Sequence, residues 1–312
     1  MEQPSLTDSK KVFSRIGFGL AISFLVVNLI QIILTGVIVV INPSLLMKDW
    51  ISFILIVVSF YLIGFPLFCF MVRQIPDGEV REIKKLSIKE LVQYGFMSYA
   101  IVYVFNLLTI LLTYIIELMK SGHVISPVEE LIADSSPLLT LLCVVIISPI
   151  IEEILFRKII LNKLRDYGDK VAILFTAVAF GLYHGNVSQF FYATALGCLF
   201  AYLTLKTNRI QYAIYLHIFI NAMGSLILPY LIGSGSQQWE WIEPLQIVSL
   251  LVIILVVLGI FFIIKKRKEV HLVEGTIDIP KEEKLKMIWL NPGMISYFLM
   301  TFGLAILIII AS

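Results

Sequence analysis

Long apolar runs separated by short polar connections dominate the chain. A helix needs roughly 20 residues to cross a bilayer, and nine runs come close to that length or exceed it. Their predicted positions are 16–41, 51–72, 92–118, 137–160, 171–186, 189–205, 210–229, 245–264 and 294–310. This pattern predicts an all-α, polytopic transmembrane helical bundle of about eight to nine spans.

The composition agrees with a membrane protein. Of the 312 residues, 59% are hydrophobic and only 15% are charged, which lies well outside the range of soluble domains. Membrane lipid is therefore an expected partner, and a net charge of +2 indicates no nucleic-acid surface. Three cysteines, Cys69, Cys143 and Cys198, lie singly in apolar runs, so we interpret them as packing residues rather than as disulfides or zinc ligands.

The distribution of Lys and Arg predicts the orientation. Basic clusters fall on every second connection, whereas the connections between them are poor in basic residues. This places the N-terminus in the cytoplasm and, with nine spans, the C-terminus outside. The segment 233–241 has no basic residue and contains Trp239 and Trp241, as expected of an external interfacial loop. We expect an integral protein of a bacterial plasma membrane.

Three regions follow from the pattern. Residues 1–136 are predicted to form N-terminal spans, with an amphipathic interfacial helix at 80–94 on the cytoplasmic side. Residues 137–229 form a more constrained core. Residues 230–312 form C-terminal spans joined by a polar cytoplasmic loop at 269–286.

The span at 137–160 contains three ionic residues, Glu152, Glu153 and Arg157. A charge at the bilayer centre costs about 2.5–3.5 kcal/mol on insertion scales, so this concentration marks a candidate functional site. Glu153 and Arg157 are four residues apart and share a helix face. Glu152 is rotated by about 100° from Glu153, which leaves its carboxylate available for other contacts. Pro149 predicts a bend just before them.

Polar residues also occupy later spans: His184, and then His217 with Asn221 one helical turn further on. Counted from the basic ends of their spans, Glu152, His184, His217 and Asn221 lie at heights of about 20, 21, 12 and 18 Å. These heights permit one shared pocket within the bilayer. Gly181 and Gly185 would let a neighbouring helix approach closely near His184.

These groups suit the hydrolysis of a peptide bond without a covalent nucleophile. Glu152 could act as a general base on water, with His184 helping to position that water. His217 and Asn221 could donate hydrogen bonds to the oxyanion. Arg157 would compensate the charge of Glu153.

The order of these motifs on successive helices, Glu-Glu-x-x-x-Arg, then Phe-x-x-x-His, then His-x-x-x-Asn, resembles the CPBP intramembrane proteases (CAAX proteases and bacteriocin-processing or Abi proteins), which include type II CAAX prenyl endopeptidases. The resemblance implies that Glu152 is the catalytic base and that Glu153 and Arg157 are its structural partners. It further implies that His184 assists the water and that His217 and Asn221 form the oxyanion site. The implied substrate is a small membrane-associated or lipidated peptide, a leader or a pheromone precursor. Lys158 stands where the family usually has glycine.

Several alternatives remain open from the residues. No cofactor is expected to be required, but zinc is possible, and its ligands would be Glu152, His184 and His217. The family has been described both as glutamate proteases and as metalloproteases, and the chain has no His-Glu-x-x-His. The same residues could form a structural ion-pair network. The protein could also be a catalytically silent bacteriocin-immunity or scaffold protein, or a proton-coupled transporter with a glutamate–histidine relay.

Overall fold

A computed structural model describes residues 6–124, 126–133, 135–233 and 244–312. All regular structure in these ranges is helical, which confirms the predicted fold class. Trp239 and Trp241 of the predicted external loop lie outside them. Eight helices of the described chain are long and apolar enough to cross a membrane.

The helices are numbered here in chain order. They are α1 (Leu6–Ile41), α2 (Asp49–Val72), α3 (Ile88–Lys120), α4 (Pro127–Ala133), α5 (Pro137–Tyr167), α6 (Asp169–Tyr183), α7 (Val187–Thr207), α8 (Gln211–Leu231), α9 (Pro244–Lys266), α10 (Lys281–Ile288) and α11 (Pro292–Ala311). All but α4, α6 and α10 are of membrane-spanning length and composition. The predicted last span is therefore present as α11.

The run predicted as a span at 171–186 becomes the shortest helix of the core, α6. It has 15 residues, a length of about 22 Å at 1.5 Å per residue. Ten of those residues are buried, because α6 packs against α5, α7 and α11. Gly181 allows the contact with α7: a Cβ there would lie 2.0 Å from Thr194 Oγ1. This confirms the close helix approach predicted at Gly181.

The predicted interfacial helix at 80–94 is wrong in its first half. Residues 76–87 have no regular structure, and α3 begins only at Ile88. Ser87 caps it: its hydroxyl accepts from the Glu90 backbone N–H, and the Glu90 carboxylate accepts from the Ser87 N–H at 2.9 Å. This reciprocal capping box fixes the start of the helix.

Tertiary hydrogen bonds replace the missing helical ones in this segment. The backbone N–H of Gly78 donates to Asn162 O at 2.8 Å, and that of Lys84 donates to Thr207 O at 2.9 Å. Arg81 pairs with Asp169 at 2.8 Å, at the start of α6. Because distant partners satisfy these groups, the amphipathic pattern does not produce a helix here.

The predicted loop at 269–286 also needs correction, because α10 begins within it at Lys281. Its first part is ordered against α6: the Val273 N–H donates to Asp169 Oδ2 at 2.9 Å, and the Asp169 N–H donates to Val273 O at 2.9 Å. The connections α2–α3 and α9–α10 thus both contact Asp169 at the start of α6. They tie this end of the core together.

Candidate active site

The buried ion pair predicted on α5 is present. Arg157 Nε lies 3.1 Å from Glu153 Oε2, four residues earlier on the helix, and both side chains are 0% exposed. Aromatic rings surround the guanidinium, with its carbon 4.5 Å from the centre of the Phe180 ring and 5.7 Å from that of Phe200. A buried cation over ring faces is stabilised electrostatically and kept away from lipid.

His217 on α8 joins both carboxylates. Its Nδ1 lies 2.9 Å from Glu153 Oε1, while its Nε2 lies 3.7 Å from Glu152 Oε2. Since a carboxylate oxygen can only accept, Nδ1 carries the hydrogen of the shorter contact. Glu153 therefore serves two partners, Arg157 and His217. Sequence spacing could not reveal the second, because it joins separate helices.

Glu152 faces a different environment from its neighbour. Its side chain is 16% exposed, against 0% for Glu153. Its Oε1 accepts a hydrogen bond of 2.5 Å from the Ser148 hydroxyl, whereas its Oε2 is buried without a hydrogen-bond partner. The geometry thus matches the predicted division, with Glu153 in the ion pair and Glu152 available. Ser148 was missed as a partner, although its spacing of four residues from Glu152 was a usable signal.

His184 lies at the C-terminal end of α6. Its Nδ1 is 2.9 Å from the backbone carbonyl of Phe180, one turn earlier. A carbonyl only accepts, so Nδ1 donates, and Nε2 of the neutral ring is left as an acceptor. The Phe180 ring packs edge-on against both His184 and His217, with centroids 5.0 and 5.7 Å away. Phe180 therefore contacts both imidazoles.

Asn221 is held by the irregular backbone of α5. Its Nδ2 donates to Val144 O at 2.9 Å. The helix is widened here, because the Ser148 N–H donates to Cys143 O, five residues back. With the same spacing of five residues, Val144 O would face the nitrogen of Pro149, which has no hydrogen to donate. Asn221 supplies the missing donor. As predicted, the proline leaves a carbonyl free, and a site residue binds that carbonyl.

A cavity of about 270 Å³ connects these groups. Such a volume exceeds by far the 10–15 Å³ or so that one water needs in this measure. Polar groups line part of it, and α2, α4 and α6 contribute an apolar, largely aromatic wall. The polar lining includes Ser148, Glu152, His184, His217, Asn221 and Ser225, and the wall includes Phe53, Phe60, Tyr61, Val128, Leu131, Phe180 and Tyr183.

All six predicted site residues therefore meet in one region. Four of them, Glu152, His184, His217 and Asn221, line the cavity, whereas Glu153 and Arg157 lie behind them in contact with His217 and Phe180. The contribution of α2, and of Tyr61 in particular, was missed. No motif in the sequence of α2 signals it, because its lining residues are ordinary apolar and aromatic side chains.

The same side chains can be compared with the requirements of a metal ion. A histidine whose Nδ1–H is held by a carboxylate is a common arrangement for metal ligands. However, no group of three or more His, Cys, Asp or Glu in the described ranges is arranged to hold an ion.

Comparison with known proteins bears on the family. Residues 134–223 match the family model described as "Type II CAAX prenyl endopeptidase Rce1-like". The resemblance is confirmed for this segment. The chain is also similar to the protein named "Putative membrane peptidase YdiL" of Bacillus subtilis strain 168. The two are 39% identical over 77 residues, which is 24% of this chain. That alignment spans 32% of the relative's length. No solved structure matches the chain.

The Rce1-like segment contains all six predicted site residues. It does not contain α2 or α4, which supply part of the apolar wall. The rest of that wall, including Phe180 and Tyr183, lies inside the matched segment with the polar cluster.

Proposed function

We propose that this protein is an intramembrane endopeptidase that hydrolyses a peptide bond in a small membrane-associated or lipidated peptide, with water activated by Glu152. One observation carries the proposal. Glu152 lines a cavity that the imidazoles of His184 and His217 also line, while the adjacent Glu153 is already paired with Arg157. The Rce1-like match supports the same reaction class.

In the proposed reaction the Glu152 carboxylate accepts a proton from water as the water oxygen bonds to the peptide carbonyl carbon. Nε2 of His184 accepts a hydrogen bond from the other O–H of this water and so orients the attack. As the carbon–nitrogen bond breaks, the proton held by Glu152 passes to the leaving amine. Water is thereby divided between the new carboxyl group and the new amino group.

The oxyanion is stabilised by donors on α8. Asn221 has a second Nδ2–H beyond the one that binds Val144. His217 acts in its imidazolium form, donating from Nδ1 to Glu153 and from Nε2 to the oxyanion. The charge count supports this form, because two carboxylates and one guanidinium would otherwise leave a net negative charge inside the membrane.

Ser148 is proposed as a positioning residue for the base. Its hydroxyl holds Glu152 Oε1, which leaves Oε2 directed toward His217 Nε2, 3.7 Å away. It acts through Glu152 and does not itself contact the reacting atoms.

The test uses Glu152→Gln, which retains the shape and the Ser148 contact but cannot take a proton. Peptide termini are compared in cells that carry the wild type or the variant, and the peptide so identified is then cleaved by purified protein. We expect the rate to fall by about 10²- to 10⁴-fold with substrate binding retained. Glu282→Gln, the same change at an exposed position of α10, is the control and should leave the rate unchanged.

The alternatives give different results in the same experiment. A silent immunity or scaffold protein would keep its cellular phenotype in the Glu152→Gln variant and alter no peptide terminus. A proton-coupled transporter would lose pH-dependent flux, again without a change in peptides. If cells with the wild type and cells with Glu152→Gln contain the same peptide termini, this result would count against the peptidase.

A further inference from the structure

A second, smaller cavity of about 160 Å³ lies at the basic end of the bundle, between α3, α7 and α9. It shares no lining residue with the candidate active site. We call it the basic cavity. Its lining includes Tyr94, Tyr202, Lys266, Arg267 and Glu269, together with the apolar side chains of Met97, Leu199, Ile263 and Val270.

Lys266 is the central cation of this cavity. It is 9% exposed, and its Nζ lies 5.6 Å from the centre of the Tyr94 ring. Its carboxylate partner is Glu269 at 3.3 Å, whose side chain is 55% exposed. An ion pair with so exposed a carboxylate is weak. A largely buried ammonium therefore has only a replaceable, solvent-facing partner.

A second lysine lies on the other side of Tyr94. Lys206 Nζ donates to the Tyr94 hydroxyl at 3.1 Å and lies 5.9 Å from the centre of the Tyr202 ring. Within the described ranges Lys206 forms no ion pair. An ammonium has three hydrogens to donate, and since Lys206 also hydrogen-bonds the Tyr202 hydroxyl, one remains available. The nearby carboxylate of Glu90 is already bound to Ser87 in the capping box.

The charges near the cavity thus favour an anion. Lys266 and Arg267 line the cavity and Lys206 lies beside it, whereas the nearby carboxylates are Glu269, which is exposed, and Glu90, which has one oxygen bound to Ser87. The inner surface of the cavity is almost entirely apolar. Cations beside an apolar cavity suit an amphiphile whose anionic group precedes a hydrocarbon chain. The Lys and Arg distribution predicts that this end faces the cytoplasmic leaflet, where anionic lipids are found.

We propose that the basic cavity, with the cations beside it, binds an anionic phospholipid. Lys266 and Arg267 hold the phosphate at the cavity, Lys206 adds positive charge nearby, and Glu269 is displaced from Lys266. The first part of an acyl chain contacts Met97, Leu199 and Ile263. Binding there joins α3, α7 and α9 at one end, on helices that also support the active-site core.

The test measures lipid binding to the purified full chain by native mass spectrometry during titration with phosphatidylglycerol or phosphatidylcholine. The variant Lys266→Gln with Arg267→Gln removes two cations of the cavity. Lys265→Gln with Lys268→Gln removes the same charge from neighbouring residues that do not line it. Each cation near an anionic headgroup strengthens binding by about fivefold. The first variant, which lacks two cations, should therefore bind phosphatidylglycerol about 25-fold more weakly. The control should change little.

Three outcomes would overturn the proposal. Equal losses in the two variants would indicate unspecific attraction to the basic surface. Equal binding of both lipids to the wild type would indicate an adventitious apolar contact. Displacement of phosphatidylglycerol by inorganic phosphate at similar concentration would indicate a site for a free anion. The last two comparisons use the wild type alone, so they hold even if the first variant does not fold.

Discussion

The buried pair on α5 makes the sharpest prediction about stability. The variant Arg157→Met removes the guanidinium and keeps a side chain of similar length. Glu153 then remains 0% exposed, with His217 as its only close ionic partner among the described residues. Even with His217 as an imidazolium, Glu152 and Glu153 would then share one cation, and a buried charge left over in this way costs about 3–5 kcal/mol. We expect unfolding to become easier by that amount.

The double variant Glu153→Gln with Arg157→Met should recover most of this loss. It removes the stranded charge, and the glutamine oxygen can still accept from His217 Nδ1. Recovery should be incomplete, because Arg157 also lies 4.5 Å from the centre of the Phe180 ring. A desolvated cation over a ring contributes about 2 kcal/mol. We therefore expect a residual destabilisation of about 1–2 kcal/mol.

The assay is equilibrium unfolding of the purified protein in mixed micelles of a mild detergent and increasing dodecyl sulfate, followed by helical circular dichroism. Glu152→Gln is the matched comparison, since its side chain contacts the cavity and keeps the Ser148 bond. It should shift the free energy of unfolding by less than about 1 kcal/mol. The reasoning is refuted if Arg157→Met is as stable as the wild type, or if the double variant is less stable than the single one.

Three further predictions concern the base, the helix contact and the metal. Ser148→Ala should lower peptide cleavage by about tenfold, as expected for loss of one hydrogen bond to a charged group, and Ser148→Thr should restore it in part; equal rates in all three proteins would remove Ser148 from the site. Gly181→Ala should destabilise the fold by about 1–3 kcal/mol, because the added methyl meets Thr194, whereas Gly36→Ala has open space and should be nearly neutral in the same unfolding assay. A strong chelator should leave cleavage by the purified protein unchanged; loss of activity that zinc restores would contradict the water-activation role proposed for Glu152 alone.

Local spacing accounts for the part of the site that could be predicted. Glu153 and Arg157 are one turn apart on a single helix, so their pairing depends only on helical geometry. The availability of Glu152 follows from the same rotation per residue. The effect of Pro149 could likewise be expected, since proline lacks the hydrogen that its helix requires. Each of these features is found in the structure.

The interfacial helix was predicted wrongly because of contacts with distant residues. The helix expected at 80–87 does not form, because Gly78, Lys84 and Arg81 are bound by residues more than 80 positions away. An amphipathic pattern records which positions avoid water, but not whether a distant carbonyl competes for the backbone. The start of α10 is an error of the other kind, because a helix forms at Lys281 within a segment predicted to be a loop.

The amino-acid sequence alone is enough to establish the all-helical membrane architecture and to single out the six polar residues of the candidate site. A bilayer accommodates long apolar runs of this kind as helices, and it tolerates charges within them only where they are paired or functional. The packing of separate helices, by contrast, determines that His217 joins Glu153 and Glu152, that Asn221 binds the carbonyl left free before Pro149, and that α2 completes the cavity. The reason is physical. Spacing along one helix is fixed by its 3.6 residues per turn, whereas the tilt, depth and rotation of separate helices are set by how their side chains pack.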